Sequence, residues 1–286
     1  MSGPTIRLLA PGDGAVLESF LVQHRDTSMF LRSNASKGGL TDRGQPYQGT
    51  YCAAFDNERP AGVAAHYWNG MMILQAPRHA GELARACAQA SGRAVIGFMG
   101  PTAQVPLARA ALGLEDAPTK TDGAEWLYAL ELDRLAAPAA LANGDIECRP
   151  PLPEERDTLL EWRMQYDIEL LGATDTPEAR RYSAQFLDRQ IAEQQAWVAV
   201  DRDGALVSLS GFNAVLPDIV QLGGIYTPPA YRGRGYAKAS VAGSLLVARA
   251  RGATRAVLFT PTASAARSYE GIGFRRVGDY YLVLFR

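Results

Sequence analysis

The chain has 286 residues, with 29 basic and 30 acidic side chains and a formal net charge of −1. So even a balance removes the electrostatic case for nucleic acid or an anionic membrane as a partner, and the length suffices for one large or two ordinary domains. Three widely spaced cysteines, Cys52, Cys87 and Cys148, suggest neither a disulfide framework nor a zinc cluster, and each is expected as a small buried residue. The opening Met-Ser-Gly-Pro-Thr-Ile-Arg has no leader character and no apolar run reaches membrane-spanning length, so the expected location is cytoplasmic.

Taken in chain order, Thr5-Ile-Arg-Leu-Leu opens a first half in which helical patterns lead to Ala53–Val63, which reads as strand, polar turn and strand. Gln75-Ala-Pro-Arg-His-Ala-Gly-Glu-Leu follows, then an Arg-Ala-Val strand from Arg93 and a helical segment in 101–114. The small-residue stretch Leu135–Gly144, with a Pro and an Asn-Gly turn signal, is the expected boundary.

Asp145-Ile-Glu-Cys-Arg-Pro opens the second half as Thr5-Ile-Arg opens the first. Trp162, Tyr166 and Glu169 recur at i, i+4 and i+7 and would share one helical face. Val198–Val207 repeats the hairpin pattern, and Ile219–Tyr226 reads as a buried strand. Thr227-Pro-Pro-Ala-Tyr-Arg-Gly-Arg-Gly-Tyr-Ala then leads into a helix over Ala237–Arg251, broken in pattern only by Gly243. Glycines at 233 and 235 let backbone N–H groups point inward at the helix start, and Arg232, Arg234 and Lys238 add positive charge, which together suit a pyrophosphate. Arg255–Thr260 is a further strand, followed by Pro261-Thr-Ala and a short helix ending Tyr269-Glu-Gly-Ile-Gly-Phe274. Residues 101–114 align without gaps on 261–274, so the halves read as two copies of one fold.

Arg232-x-x-Gly235-x-Ala237 after a strand, with Tyr269-x-x-x-Gly273-Phe274 downstream, resembles the acyl-CoA signature and second conserved segment of the GNAT superfamily of N-acetyltransferases, over about residues 196–286. The resemblance implies an α/β fold of two tandem mixed-sheet domains with helices on both faces: a degenerate copy at 1–138 and an acyl-CoA-binding copy at 145–286. The first copy is shorter between Asp56 and Pro101 than the second between Asp201 and Pro261, lacks Arg-x-x-Gly-x-Ala, and has Arg109 where the second has Tyr269; Arg109 is expected as a solvated residue. Acetyl-CoA is the implied co-substrate, held by Ile225, Tyr226, Thr227, Arg232, Gly233, Arg234, Gly235, Tyr236, Ala237, Lys238 and Thr262, with no metal. Within that set, Ile225 to Thr227 match the segment whose backbone N–H meets the oxyanion. Thr262, where relatives often carry an asparagine for the pantetheine arm, equally suits a helix N-cap.

Tyr269 matches the tyrosine assigned in the family as the acid for the departing thiolate, or else only packs beside Phe274. The general base is where the pattern fails, because the strand before the loop offers Gln221 and glycines instead of a carboxylate. A water held by Gln221 or by backbone groups would relay the proton, or Glu169 would accept it, unless Glu169 simply pairs with a surface arginine. The resulting expectation is an N-acetyltransferase acting on an amine of a small molecule or peptide, with acceptor and oligomeric state open. The alternatives are a non-catalytic acyl-CoA sensor, favoured by the missing carboxylate, and an aminoacyl-tRNA-dependent transferase, disfavoured by the neutral charge and the intact loop.

Overall fold

The computed structural model describes residues 4–286; Met1–Gly3, part of the opening read above for leader character, lie outside them. The chain forms two compact units, one running to Glu125 and taking back Asp279–Arg286, the other Trp126–Gly278. No helix among the described residues is long and apolar enough to cross a membrane.

The first unit contains β1 (Thr5–Leu8), α1 (Gly14–Leu21), α2 (Met29–Gly38), β2 (Gly49–Asp56), β3 (Arg59–Tyr67), β4 (Met71–Gln75), α3 (Ala80–Ser91), β5 (Gly97–Pro101), α4 (Val105–Ala111) and the start of β6 (Thr119–Glu131). Strands β1 to β4 pair antiparallel in sequence, and β4 pairs parallel with β5. Alternation along β2 explains why both faces are covered. Tyr51 and Ala53 enter a core with Leu17 and Leu21 of α1 and Leu31 of α2, while Cys52 and Ala54 enter one with Leu83 and Cys87 of α3. Arg109 is not solvated as expected: its side chain, 13% exposed, pairs with Asp122 at 2.6 Å and donates to the carbonyl of Leu114.

The second unit contains α5 (Ala139–Ala142), β7 (Ile146–Arg149), α6 (Arg156–Leu171), α7 (Pro177–Ala192), β8 (Ala196–Asp201), β9 (Leu206–Val215), β10 (Ile219–Tyr226), α8 (Tyr236–Ala250), β11 (Arg255–Thr260), α9 (Ala263–Glu270) and the start of β12 (Arg275–Phe285). Its strand order repeats that of the first unit: β7 to β10 antiparallel in sequence, then β10 parallel to β11. Val198 and Val200 of β8 face Leu159 of α6 and Leu187 of α7, while Trp197 packs with α8 residues Val241 and Leu245. The helix glycine that interrupts the α8 pattern has a packing reason. A Cβ at Gly243 would stand 2.5 Å from Cys148 Sγ on β7, and burial pushes the Cys148 thiol up to about 12.

The expected cut between 138 and 145 does not match these units. Leu135–Gly144 lies wholly inside the second unit, where it forms α5. The reason is an exchange of closing strands. Each unit needs an antiparallel strand beside its parallel pair, and the two copies supply each other's: Tyr280–Leu284 of β12 pair with β5, whereas Trp126–Glu131 of β6 pair with β11.

Val283 of the exchanged strand is fully buried beside Leu74 and Phe98. An unpaired charge there costs roughly 3–5 kcal/mol, so Val283→Asp is expected to strip hydrogen-exchange protection from β5 and β4. Retained protection would show that the exchanged strand does not support the first unit.

Candidate active site

The site is set by where β10 stops being a regular strand. Its parallel pairing with β11 spans Ile219 to Gln221 only. On the other edge, Gly223 pairs with Gly211 and Tyr226 with Leu209, so Gly224 and Ile225 together oppose Ser210 and form a bulge. Gly224 accommodates it at φ +64°, a conformation that penalises side chains. Beyond Gln221, the backbone N–H groups that face the β11 edge have no ladder there, while β10 stays paired with β9 as far as Tyr226.

Ser208 ties down the outgoing segment, its Oγ donating to the carbonyl of Tyr226 at 3.1 Å and lying 2.9 Å from Thr227 Oγ1. Pro229–Tyr231 then make one turn, and Gly233 and Gly235 adopt φ of +79° and +84°. Gly235 is the N-cap of α8, and no side chain caps that helix. The first four N–H groups of a helix have no partner within it, so α8 presents an open, partly positive end beside Arg234 and Lys238. The aliphatic stem of Lys238 passes over the loop, its Cε 3.8 Å from where a Gly235 Cβ would stand. Tyr236 meets Tyr231 edge-on at 6.1 Å, and Ala237 lies in the first turn of α8.

Arg232 does not join this cluster of donors. Its Nε donates to the carbonyl of Thr227 at 2.9 Å and its Nη2 to Glu169 Oε2 at 2.8 Å. Glu169 Oε1 accepts from the Tyr226 hydroxyl at 3.1 Å, and Trp162 packs 6.4 Å from the Tyr226 ring. The face shared by Trp162 and Glu169 is therefore turned to β10, as the helical spacing predicts. Both carboxylate oxygens of Glu169 are engaged, which is the geometry of a tie between α6 and the loop. At this exposure such a pair contributes at most about 1 kcal/mol. Burial and the hydrogen bond to Glu169 push the Tyr226 phenol up.

Gln221 is 1% exposed. Its Nε2 donates to the carbonyl of Leu222 at 2.9 Å, and its Oε1 is buried without a partner. Asn213 Oδ1 on neighbouring β9 is likewise unpartnered, and its amide fills the place where a Gly223 side chain would stand. Two orphaned acceptors beside one bulge are a costly arrangement for a strand pair with only a structural role.

Tyr269 on α9 is buried and meets Phe274 edge-on at 6.1 Å. Burial, with a smaller contribution from Tyr166 on α6, raises its phenol well above the usual tyrosine range. Thr262 caps α9, its Oγ1 accepting from the Ala265 amide at 3.3 Å.

One group was not singled out in the sequence. Arg163 is buried on α6, bound to Asp167, which also accepts from Ser183 of α7 at 2.6 Å. The i, i+4 spacing of Arg163 and Asp167 was visible, but such pairs are ordinarily solvated.

The acyl-CoA fit rests on the uncapped α8 terminus and its two left-handed glycines, and the residues present suit a phosphate-bearing group. The fold agrees with solved structures along almost the whole chain. A Drosophila protein aligns with TM-score 0.67 at 12% identity, covering 99% of each chain. A GCN5-related N-acetyltransferase from Sphaerobacter thermophilus aligns at 0.60 and 15%, covering 98% of this chain and 94% of that one. A tandem GNAT protein from the clavulanic acid biosynthesis pathway aligns at 0.52 and 13%, covering 98% and 97%. No curated protein sequence matches the chain.

Gly224 yields a direct test. A β-branched side chain there is strained by the positive φ, and a Cβ would stand 3.3 Å from Arg163 Nη1. Gly224→Val is expected to lower unfolding free energy by about 1–3 kcal/mol in denaturant titration; an unchanged midpoint would mean that the bulge is not held as described.

Residues 157–274, which lie within the second unit, match the sequence model of the acetyltransferase (GNAT) family.

Proposed function

We propose that the second unit is an N-acetyltransferase that moves an acetyl group from acetyl-CoA to an amine of a small molecule or peptide by direct attack, and that the first unit is a degenerate copy without a cofactor. The observation that carries this is the uncapped N-terminus of α8, preceded by two left-handed glycines, directly after a strand that leaves its parallel neighbour. Acetyl-CoA would supply the activated acyl thioester.

In this reading the N–H groups of Gly233 to Lys238 hold the pyrophosphate, with Arg234 and Lys238 adding charge. Arg232 acts indirectly, fixing the loop to Glu169. A backbone N–H within Ile225 to Thr227 donates to the carbonyl oxygen where negative charge develops, a contribution worth about 3–4 kcal/mol for one well-placed donor. Thr262 serves α9 as a cap and lies on the pantetheine side. Tyr269 donates its proton to the departing sulfur; a phenol held neutral by burial keeps that proton until it is needed. Gln221, with its orphaned Oε1, orients a water that relays the amine proton out to bulk solvent, and Glu169 holds the loop instead of serving as base. A reactive amine must be deprotonated against a reference pKa of about 10.4 for a lysine side chain or about 8 for an α-amine.

In the first unit the loop Gln75–His79 is short, and Arg78 and His79 are already matched. Asp56 lies 2.8 Å from Arg78 Nη1 and 3.1 Å from His79 Nε2, while His79 holds the left-handed N-cap of α3. An internal carboxylate stands where an anion would need positive charge. A cytoplasmic setting, where acetyl-CoA is available, fits this reading.

The sensor alternative draws on one observation, the lack of a free carboxylate at the bulge. Thermal shift with acetyl-CoA followed by thiol release with an amine panel separates the two: stabilisation with turnover supports the enzyme, stabilisation without any turnover supports the sensor, and no stabilisation by any acyl-CoA contradicts both. Gly235→Val is expected to weaken acetyl-CoA binding by at least ~10-fold, whereas Arg78→Ala leaves it intact; equal losses would place cofactor in the first unit. Tyr269→Phe is expected to lower turnover at saturating acetyl-CoA by roughly 10²-fold. Because the Tyr269 phenol is shifted upward, the acid form persists through pH 10, and the wild-type rate should show no alkaline fall below that from this group. An unchanged rate for Tyr269→Phe would remove it from the mechanism.

A further inference from the structure

Arg163 is a buried cation for which the acyl-transfer chemistry above has no use. Only 6% of the residue is exposed. Its guanidinium lies 4.2 Å from the Phe186 ring centroid and 5.1 Å from that of Tyr166. Nε donates to Asp167 Oδ2 at 3.1 Å and Nη2 lies 2.7 Å from Asp167 Oδ1, and Ser183 Oγ fixes the same carboxylate at 2.6 Å. Two nitrogens are thus committed and the plane of the group is held by aromatic rings. The third, Nη1, has no acceptor among the described residues and is not sealed from solvent. It lies against the bulge, 3.3 Å from where a Gly224 Cβ would stand, so the missing side chain at 224 leaves its donor edge uncovered.

A buried ion pair is a poor way to stabilise a helix pair, since apolar residues of the same volume do as well or better. An arginine fixed on three sides with one donor edge open is instead a preorganised anion clamp, and a planar guanidinium suits a carboxylate. Arg163 belongs to α6, which with α7 covers one face of the sheet, while α8 and its anion-binding end belong to the other. Tyr166, whose ring flanks Arg163, is close enough to Tyr269 to bear on its phenol. The open edge thus lies at the bulge of β10, beyond the end of its pairing with β11.

The geometry points to Arg163 Nη1 as the anchor for a carboxylate on the acceptor, which makes the acceptor an amino acid or a similarly small amine bearing a carboxylate a few bonds from its nitrogen. This rests on the N-acetyltransferase reading. Asp167 and Ser183 act as positioning residues that hold the guanidinium.

The test uses the full chain with acetyl-CoA and matched acceptor pairs, α-, β- and γ-amino acids against their primary amides. The best amino acid is expected to exceed its amide in kcat/KM by roughly 10- to 100-fold, mostly through KM, as for one charge-assisted hydrogen bond in a partly buried site. Arg163→Lys should erase that preference. The pair Arg163→Gln with Asp167→Asn should do the same without leaving a buried carboxylate unpaired, which guards against misfolding as the cause. A second readout needs no turnover: without acyl-CoA, the amino acid should raise the Tm of the wild type and not of the double variant. Failure of acetyl-CoA to bind would count against the proposed function, whereas the Tm readout still judges Arg163. Equal kcat/KM for acids and amides, or an equal Tm rise in the double variant, would overturn the assignment. So would a preference for acyl-CoAs ending in a carboxylate that disappears with Arg163→Lys, since Arg163 would then read the acyl chain.

Discussion

The second unit depends on one departure from regular structure, the parting of β10 from β11 after Gln221 and the bulge over Gly224 and Ile225. A parallel pair that continued to Tyr226 would consume the N–H groups beyond Gln221 that face β11 and close the space between the strands. Parting them releases those donors, but it also leaves buried polar groups that must be managed. Ser208 manages one side through the Tyr226 carbonyl and Thr227 hydroxyl. Gln221 and Asn213 retain unpartnered oxygens at the other. Glycine at 224, 233 and 235 adopts left-handed backbone that a side chain would strain, and α8 anchors the loop with Val241, Ala242 and Leu245 deep in the core.

Around that opening, the chain assembles groups from four elements. α6 contributes Arg163 and Glu169, β10 the freed backbone, α8 its uncapped end, and α9 Tyr269. Glu169 links two of these by holding Arg232 and Tyr226 together, so α6 and the loop before α8 share a contact that solvent can reach. The first unit shows what the same topology becomes without the opening chemistry. Its corresponding loop is short, and Asp56 satisfies the adjacent Arg78 and His79.

Much of this was legible in the sequence because it depends on local rules. The glycines at 233 and 235 declared a turn with inward N–H groups, Thr262 a cap, and the patterns in Ala53–Val63 and Val198–Val207 a pair of hairpins. The repeat of 101–114 on 261–274 also disclosed the duplication. What was hidden depends on non-local pairing. The boundary was read from the small residues of Leu135–Gly144, but closing strands were exchanged between the copies, and no local signal shows which parallel pair a strand such as Trp126–Glu131 will join. Arg163 was missed for a similar reason: its partner at i+4 was visible, while Phe186 and Gly224, which bury and frame it, come from distant segments. Glu169 read equally as a base or as the partner of a surface arginine, because Tyr226 and Arg232, which engage its two oxygens, come from a distant segment.

Backbone hydrogen exchange on addition of acetyl-CoA tests the account most directly, because it reads which helix N-terminus takes the anion. The account predicts slowed exchange at the amides of Gly233 to Lys238 and of Ile225 to Thr227, with Ala76 to Gly81 unaffected. Protection confined to Ala76–Gly81, or none at any concentration of acetyl-CoA, would contradict it.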